Sequence, residues 1–144
     1  ADFVKLASLF GDYYTAKAHY LLPRWCGEIG EWEQFAEEIS DRVGGKEGSI
    51  IYGYICQALC KFYKQEKCFM ETDVSWKKMK QGFYDREELY GTSIRNLNVF
   101  CKYVWYADDR KTAKELFKRI GDNYDKQVWK SKVNLDRAKE WALK

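Results

Sequence analysis

Punctuation constrains this chain more than any other feature. Its 144 residues contain one proline, Pro23, and the ten glycines fall mostly between segments whose apolar residues recur at helical spacing. Proline and glycine are the residues that most disfavour a helix interior, so their confinement to boundaries describes long helices separated by short turns. No segment of length alternates apolar and polar residues with period two, so no sheet is expected. The expected fold is all-α: antiparallel helix pairs arranged as a bundle or right-handed solenoid of about seven helices.

Phe3, Leu6, Ala7 and Phe10 predict a first helix ended by Gly11, and Asp12 caps a second that carries Tyr13, Lys17, Tyr20 and Leu21 up to Pro23. Trp32, Phe35, Ala36, Ile39 and Val43 define an amphipathic helix closed by Gly44 and Gly45. From Ser49 to Lys64, Ile51, Ile55, Leu59 and Phe62 line one face, and Tyr52, Cys56, Cys60 and Tyr63 another. A helix apolar on most sides is packed on most sides, which makes this one central. Asp73 or Ser75 caps the next helix, with Trp76, Met79, Phe83 and Tyr90 inward. Gly82, inside that helix, calls for a close helix crossing. Thr92 or Ser93 opens a helix with Leu97, Cys101, Val104 and Trp105 inward, and Asp108 or Asp109 opens another with Ala113, Leu116, Phe117 and Ile120 inward. Asn134 caps a terminal helix with Leu135, Ala138 and Trp141.

A chain of this length fits one domain, 1–144, with a core that needs no staples. The residue Ala1 at the start hints at a fragment of a larger protein. Aromatic residues make up 17% of the chain, suiting wide helix-helix interfaces. The apolar run Ile50 to Phe62 falls short of a membrane span, and no signal peptide is visible. Five cysteines at Cys26, Cys56, Cys60, Cys68 and Cys101 form no small disulfide framework, so free buried thiols and a reducing, cytoplasmic compartment are expected.

The pair of helices from Ser93 to Ile120, joined by a tight acidic turn, resembles the helix-turn-helix unit of tetratricopeptide solenoids. Ala113 and Phe117 have the spacing of the small and aromatic residues in that family's second helix, and Cys101 sits where the family prefers a small residue. The segment Leu21-Leu22-Pro23-Arg24-Trp25-Cys26-Gly27 resembles an LLPRW-glycine signature of a family of uncharacterised bacterial domains, with Cys26 in place of a glycine. That resemblance implies a bacterial origin and a helical-repeat fold, and brings no activity with it.

Charge is unevenly placed. Between Glu28 and Glu47 lie seven acids against Arg42 and Lys46, whereas Arg110 to Lys144 holds eleven Lys or Arg against five acids. Opposite fields of this kind orient partners. In the loop, Arg24 could clamp a carboxylate or phosphate while Trp25 stacks on a ligand. The favoured reading is that Trp25 plugs the gap between the first helices with Arg24 paired to a local acid such as Glu28, since aromatic residues in ordered loops usually anchor them. Glu31, Glu38 and Asp41 form a second candidate surface on the acidic helix.

These readings rank binding before catalysis. The leading expectation is a protein-interaction or scaffolding domain whose partner is another protein, a peptide or a flanking domain of the same chain. The candidate contacts are Arg24, Trp25, Glu31, Glu38 and Asp41. An enzyme or small-ligand pocket around His19, Arg24 and Cys26 is the alternative. A nucleic-acid surface is the second alternative, built on the basic C-terminal end with Trp129 and Trp141 between its lysines. Cys56, Cys60 and Cys68 lack the second close pair that zinc wants, so no metal or cofactor is expected. No phosphate loop, nucleophile elbow or zinc-helix motif occurs.

Overall fold

The connection between the acidic helix and the central helix is a single residue, Gly44, and that brevity sets the first half of the fold. A computed structural model describes residues 12–144. It is all-helical over these residues. The predicted helix over Phe3 to Phe10 lies outside them. Residues 12–20 form α1. The rest of the order is α2 (Glu31–Val43), α3 (Gly45–Leu59), α4 (Cys68–Glu71), α5 (Trp76–Tyr90), α6 (Ile94–Tyr106), α7 (Arg110–Ile120), α8 (Lys126–Trp129) and α9 (Lys132–Leu143). The described residues divide into two compact units, 12–91 and Thr92–Lys144.

In the first unit α3 folds back along α2. Ser40, near the end of α2, donates its hydroxyl to the Gly48 carbonyl at the start of α3 (2.9 Å), and Trp32, at the start of α2, donates its indole N–H to the Tyr63 hydroxyl beyond the end of α3 (3.0 Å). Helix α5 runs antiparallel to α3 in turn. Lys46 pairs with Glu88 at 2.6 Å, Ser49 hydrogen-bonds Asp85, and the Tyr52 hydroxyl accepts the Ser75 N–H at 2.9 Å. The crossing occurs at Gly82, as its sequence position predicts: a Cβ there would lie 2.5 Å from the Ser49 carbonyl oxygen. Trp32, Tyr52, Ile55, Cys56 and Met79 are buried completely, so α3 is central to this unit.

The second unit closes around α6. Leu97, Phe100, Cys101 and Val104 meet Ala113, Leu116 and Ile120 of α7 and Leu135 and Ala138 of α9 in one buried set. Its caps are side chains. Ser93 accepts the Asn96 N–H, Asp109 the Thr112 N–H, Asp125 the Gln127 and Val128 N–H groups, and Ser131 the Asn134 N–H. The cap of α9 is therefore Ser131 rather than Asn134, which instead donates its side-chain amide to the Trp129 carbonyl.

Three further expectations change. Helix α3 starts at Gly45 rather than Ser49 and ends at Leu59, passing into a 3₁₀ turn over Cys60–Phe62. One-turn helices α4 and α8 occupy stretches where the sequence predicts no helix. Cys60 and Cys68 form a disulfide, with Cα atoms 5.4 Å apart, instead of two free thiols. Local spacing directs attention to Cys56 with Cys60 on one helix face, whereas the 3₁₀ turn carries Cys60 away and a second turn returns Cys68 to it. Cys56 and Cys101 are free and buried, while Cys26 is free and exposed, so three thiols rather than five carry the reducing-compartment expectation. No helix among the described residues is long and apolar enough to cross a membrane.

Candidate functional site

The loop after α1 is held by its own backbone. Leu21 and Leu22 N–H groups donate to the Ala18 and His19 carbonyls (3.0 and 3.1 Å), and the Trp25 and Gly27 N–H groups both donate to the Leu22 carbonyl (2.9 and 3.2 Å). Ala18 and Leu22 anchor the turn in the core. With five of its N–H groups bonded within the turn and its root buried, the loop displays its tip side chains from a firm base.

What the tip displays is an aromatic-cation cluster. The Arg24 guanidinium lies over the Phe62 ring at 5.6 Å, the His19 ring is 4.7 Å from Phe62, and the Trp25 ring is 6.1 Å from His19. Arg24, Trp25 and His19 therefore come together, and the residue that gathers them is Phe62. The periodicity of α3 places Phe62 inward, but the 3₁₀ turn leaves it partly exposed. Trp25 does not plug a gap, since 61% of it is exposed. No ion pair among the described residues joins Arg24 to Glu28. Nor does a hydrogen bond among them join His19 to Cys26 or Arg24, so the rings of this cluster pack without forming a nucleophile-base pair. Cys26 instead interacts with Tyr20 and holds the Tyr20 hydroxyl above its ordinary 10.0.

Beside this cluster lies an acidic groove of about 670 Å³ between the loop, the first turns of α2 and Asp73. Glu28, Glu31, Glu33, Glu37 and Asp73 line it, with Cys26 and Ile29. Part of this arrangement serves the helix. Acids in a first turn complement the N-terminal end of the helix dipole, and the Glu31 carboxylate accepts the Glu28 N–H at 2.8 Å. Gly30, at φ 85°, begins α2 in the left-handed region without a side-chain cap, and a Cβ there would sit 3.2 Å from an Asp73 carboxylate oxygen. Glu37 pairs with Lys78 at 3.3 Å.

Glu33 is different. It is 6% exposed, its Oε2 accepts the Asp73 N–H at 3.2 Å, and its Oε1 is buried with no hydrogen-bond partner. Buried charged oxygens without partners are costly, and native structures keep few of them. Of the acidic residues predicted as a surface, Glu31 lines the groove, while Glu38 and Asp41 are exposed farther along α2 and do not. The sequence signal for Glu33 is its place three residues before Ala36, on the shoulder of the apolar stripe; that for Phe62 is only a helix end.

The basic C-terminal end uses its rings internally. Trp129 is 1% exposed, stacks on Phe117 at 6.0 Å and donates its indole N–H to the Asn98 Oδ1 at 2.8 Å. Trp141 donates to Asp108 at 3.0 Å under the Arg110 guanidinium. Neither indole is a free platform for base stacking. Among the described residues no group of three or more His, Cys, Asp or Glu side chains is arranged to hold a metal ion. Comparisons with family models, curated proteins and solved structures find no match to this chain.

Proposed function

We propose that this chain is a protein-interaction module that takes a partner segment on the loop after α1, with Arg24 and Trp25 as its anchors. The observation that carries this reading is the exposure of Trp25, at 61%, on a loop held by backbone hydrogen bonds to Ala18, His19, Tyr20 and Leu22. Interfaces draw most of their energy from a few Trp, Tyr and Arg side chains, and a rigid base limits the ordering cost of using them. Glu31, and beyond it Glu38 and Asp41, extend an acidic face along α2 that sets partner charge and encounter rate. A tetratricopeptide-like stacking of helix pairs is part of the same reading and rests on α6 and α7. A cytoplasmic location is also part of it and rests on the three free thiols, with the Cys60–Cys68 disulfide weighing against it.

The test is capture from a bacterial lysate with the intact chain and with an Arg24→Ala/Trp25→Ala double variant, both checked for equal helicity by circular dichroism. A protein retained by the intact chain and lost from the folded double variant supports the site. Equal retention by both removes Arg24 and Trp25 from it.

A further inference from the structure

The groove beside the anchors has chemistry that selects its occupant. Its lining carries five carboxylates, and among the described residues that line it none is cationic. Two of the five have internal work, Glu31 on the Glu28 N–H and Glu37 on Lys78. Glu33 is the telling one: more than nine-tenths buried, fixed through one oxygen by the Asp73 N–H, with the other oxygen unpartnered. A group that a fold buries and leaves half-satisfied is a place where a donor from outside gains what the fold itself does not supply.

We propose that this groove binds a lysine or arginine side chain of a basic segment in the partner protein, with Glu33 as its innermost acceptor. An ammonium or guanidinium brings several N–H donors and the opposite charge, which suits a buried oxygen without a partner in a groove lined by four further carboxylates. The carboxylates do not converge as a metal cage does, so the fitting cation is one that spreads its donors over space. The same loop sets apolar surface beside the acids: Ile29 lines the groove at 93% exposure, and Trp25 stands next to Cys26. A protein segment that alternates a cation with an apolar residue meets both. This deepens the interaction reading above and rests on it.

The experiment titrates the intact chain with three probes, followed by calorimetry and by amide chemical shifts. The probes are a short acetylated and amidated Arg/Lys-rich peptide, its neutral counterpart with citrulline and glutamine, and spermidine. The basic peptide is expected to bind, to weaken at physiological ionic strength, and to shift amides over residues 28–37 and at Asp73. Glu33→Gln is expected to weaken it about tenfold or more. Glu31→Gln keeps an acceptor for the Glu28 N–H and removes one charge, so a smaller loss is expected there, and it serves if Glu33→Gln fails to fold. Unchanged binding in the folded variants, equal binding of the neutral peptide, or shifts confined to Thr92–Lys144 overturns the proposal. Spermidine binding as tightly as the peptide also overturns it, by making the ligand a free polyamine. Loss of partner capture in Arg24→Ala/Trp25→Ala with peptide binding unaffected by Glu33→Gln leaves the anchors standing and removes only the groove.

Discussion

In Thr92–Lys144 each helix starts on a Ser or Asp side chain that accepts a first-turn N–H, whereas in 12–91 helices α2 and α3 start on Gly30 and Gly44 with no such cap. Their buried polar groups differ in the same way. Asn98, completely buried, donates to the Ile94 and Asn123 carbonyls at 2.7 and 3.2 Å and accepts from Trp129, and Lys102 reaches the Val128 carbonyl at 2.7 Å. Glu33 keeps one oxygen without a partner. A unit that satisfies its polar groups internally becomes specific and rigid, with little left to offer a ligand. One that leaves charge and aromatic area uncompensated offers a partner something to complete. On the proposed reading, this difference makes the first unit the binding half.

The largest effect is expected where the second unit is most self-contained. Asn98→Ala strands the buried Trp129 N–H and removes two side-chain donations to carbonyls, at a cost of about 2–4 kcal/mol for one stranded group and two lost hydrogen bonds. Urea denaturation checks this, and a loss below about 1 kcal/mol breaks the contrast at its firmest point. Gly82→Ala comes next. The added methyl meets the Ser49 carbonyl at 2.5 Å, so α3 and α5 must separate, for about 1–3 kcal/mol by the same measurement.

A smaller effect depends on pH. Burial pushes the Cys101 thiol from its ordinary 9.0 up to about 12, and burial raises Cys56 as well. Between these values the unfolded thiol releases its proton while the folded one keeps it. Stability is therefore expected to be unaffected by Cys101 below about pH 9 and to fall as pH rises above it, by up to about 1.4 kcal/mol per unit for one thiol. Denaturation at stepped alkaline pH checks this against Cys101→Ala, whose slope is expected to be shallower; equal slopes reject it.

Much of this fold was legible in the sequence because the relevant forces are local. Ser75, Ser93 and Asp109 cap the helices that they immediately precede, and Gly82 announces a crossing because a glycine inside a helix needs a reason. Phe62 and the Cys60–Cys68 pair were not legible, since both depend on where α3 stops and a 3₁₀ turn takes over. At the site, Arg24 and Trp25 stood out as a cation and a large ring in a proline-led loop, and Glu31 as part of an acidic run. Glu33 looked like one more acid in that run. Its place three residues before Ala36 puts it on the shoulder of the apolar stripe, but its burial is set by α2 packing on α3 and by the approach of Asp73 forty residues later.

The most direct measurement is the thermal midpoint of Glu33→Gln. The amide keeps an acceptor for the Asp73 N–H and removes a charge set among Glu28, Glu31, Glu37 and Asp73. If the carboxylate is held for a partner rather than for the fold, the midpoint is expected to stay level or rise, as when a functional group is removed from a binding site. A fall of about 4 °C or more, corresponding to roughly 1 kcal/mol, would make Glu33 a structural acid and contradict the assignment of the first unit as the binding half.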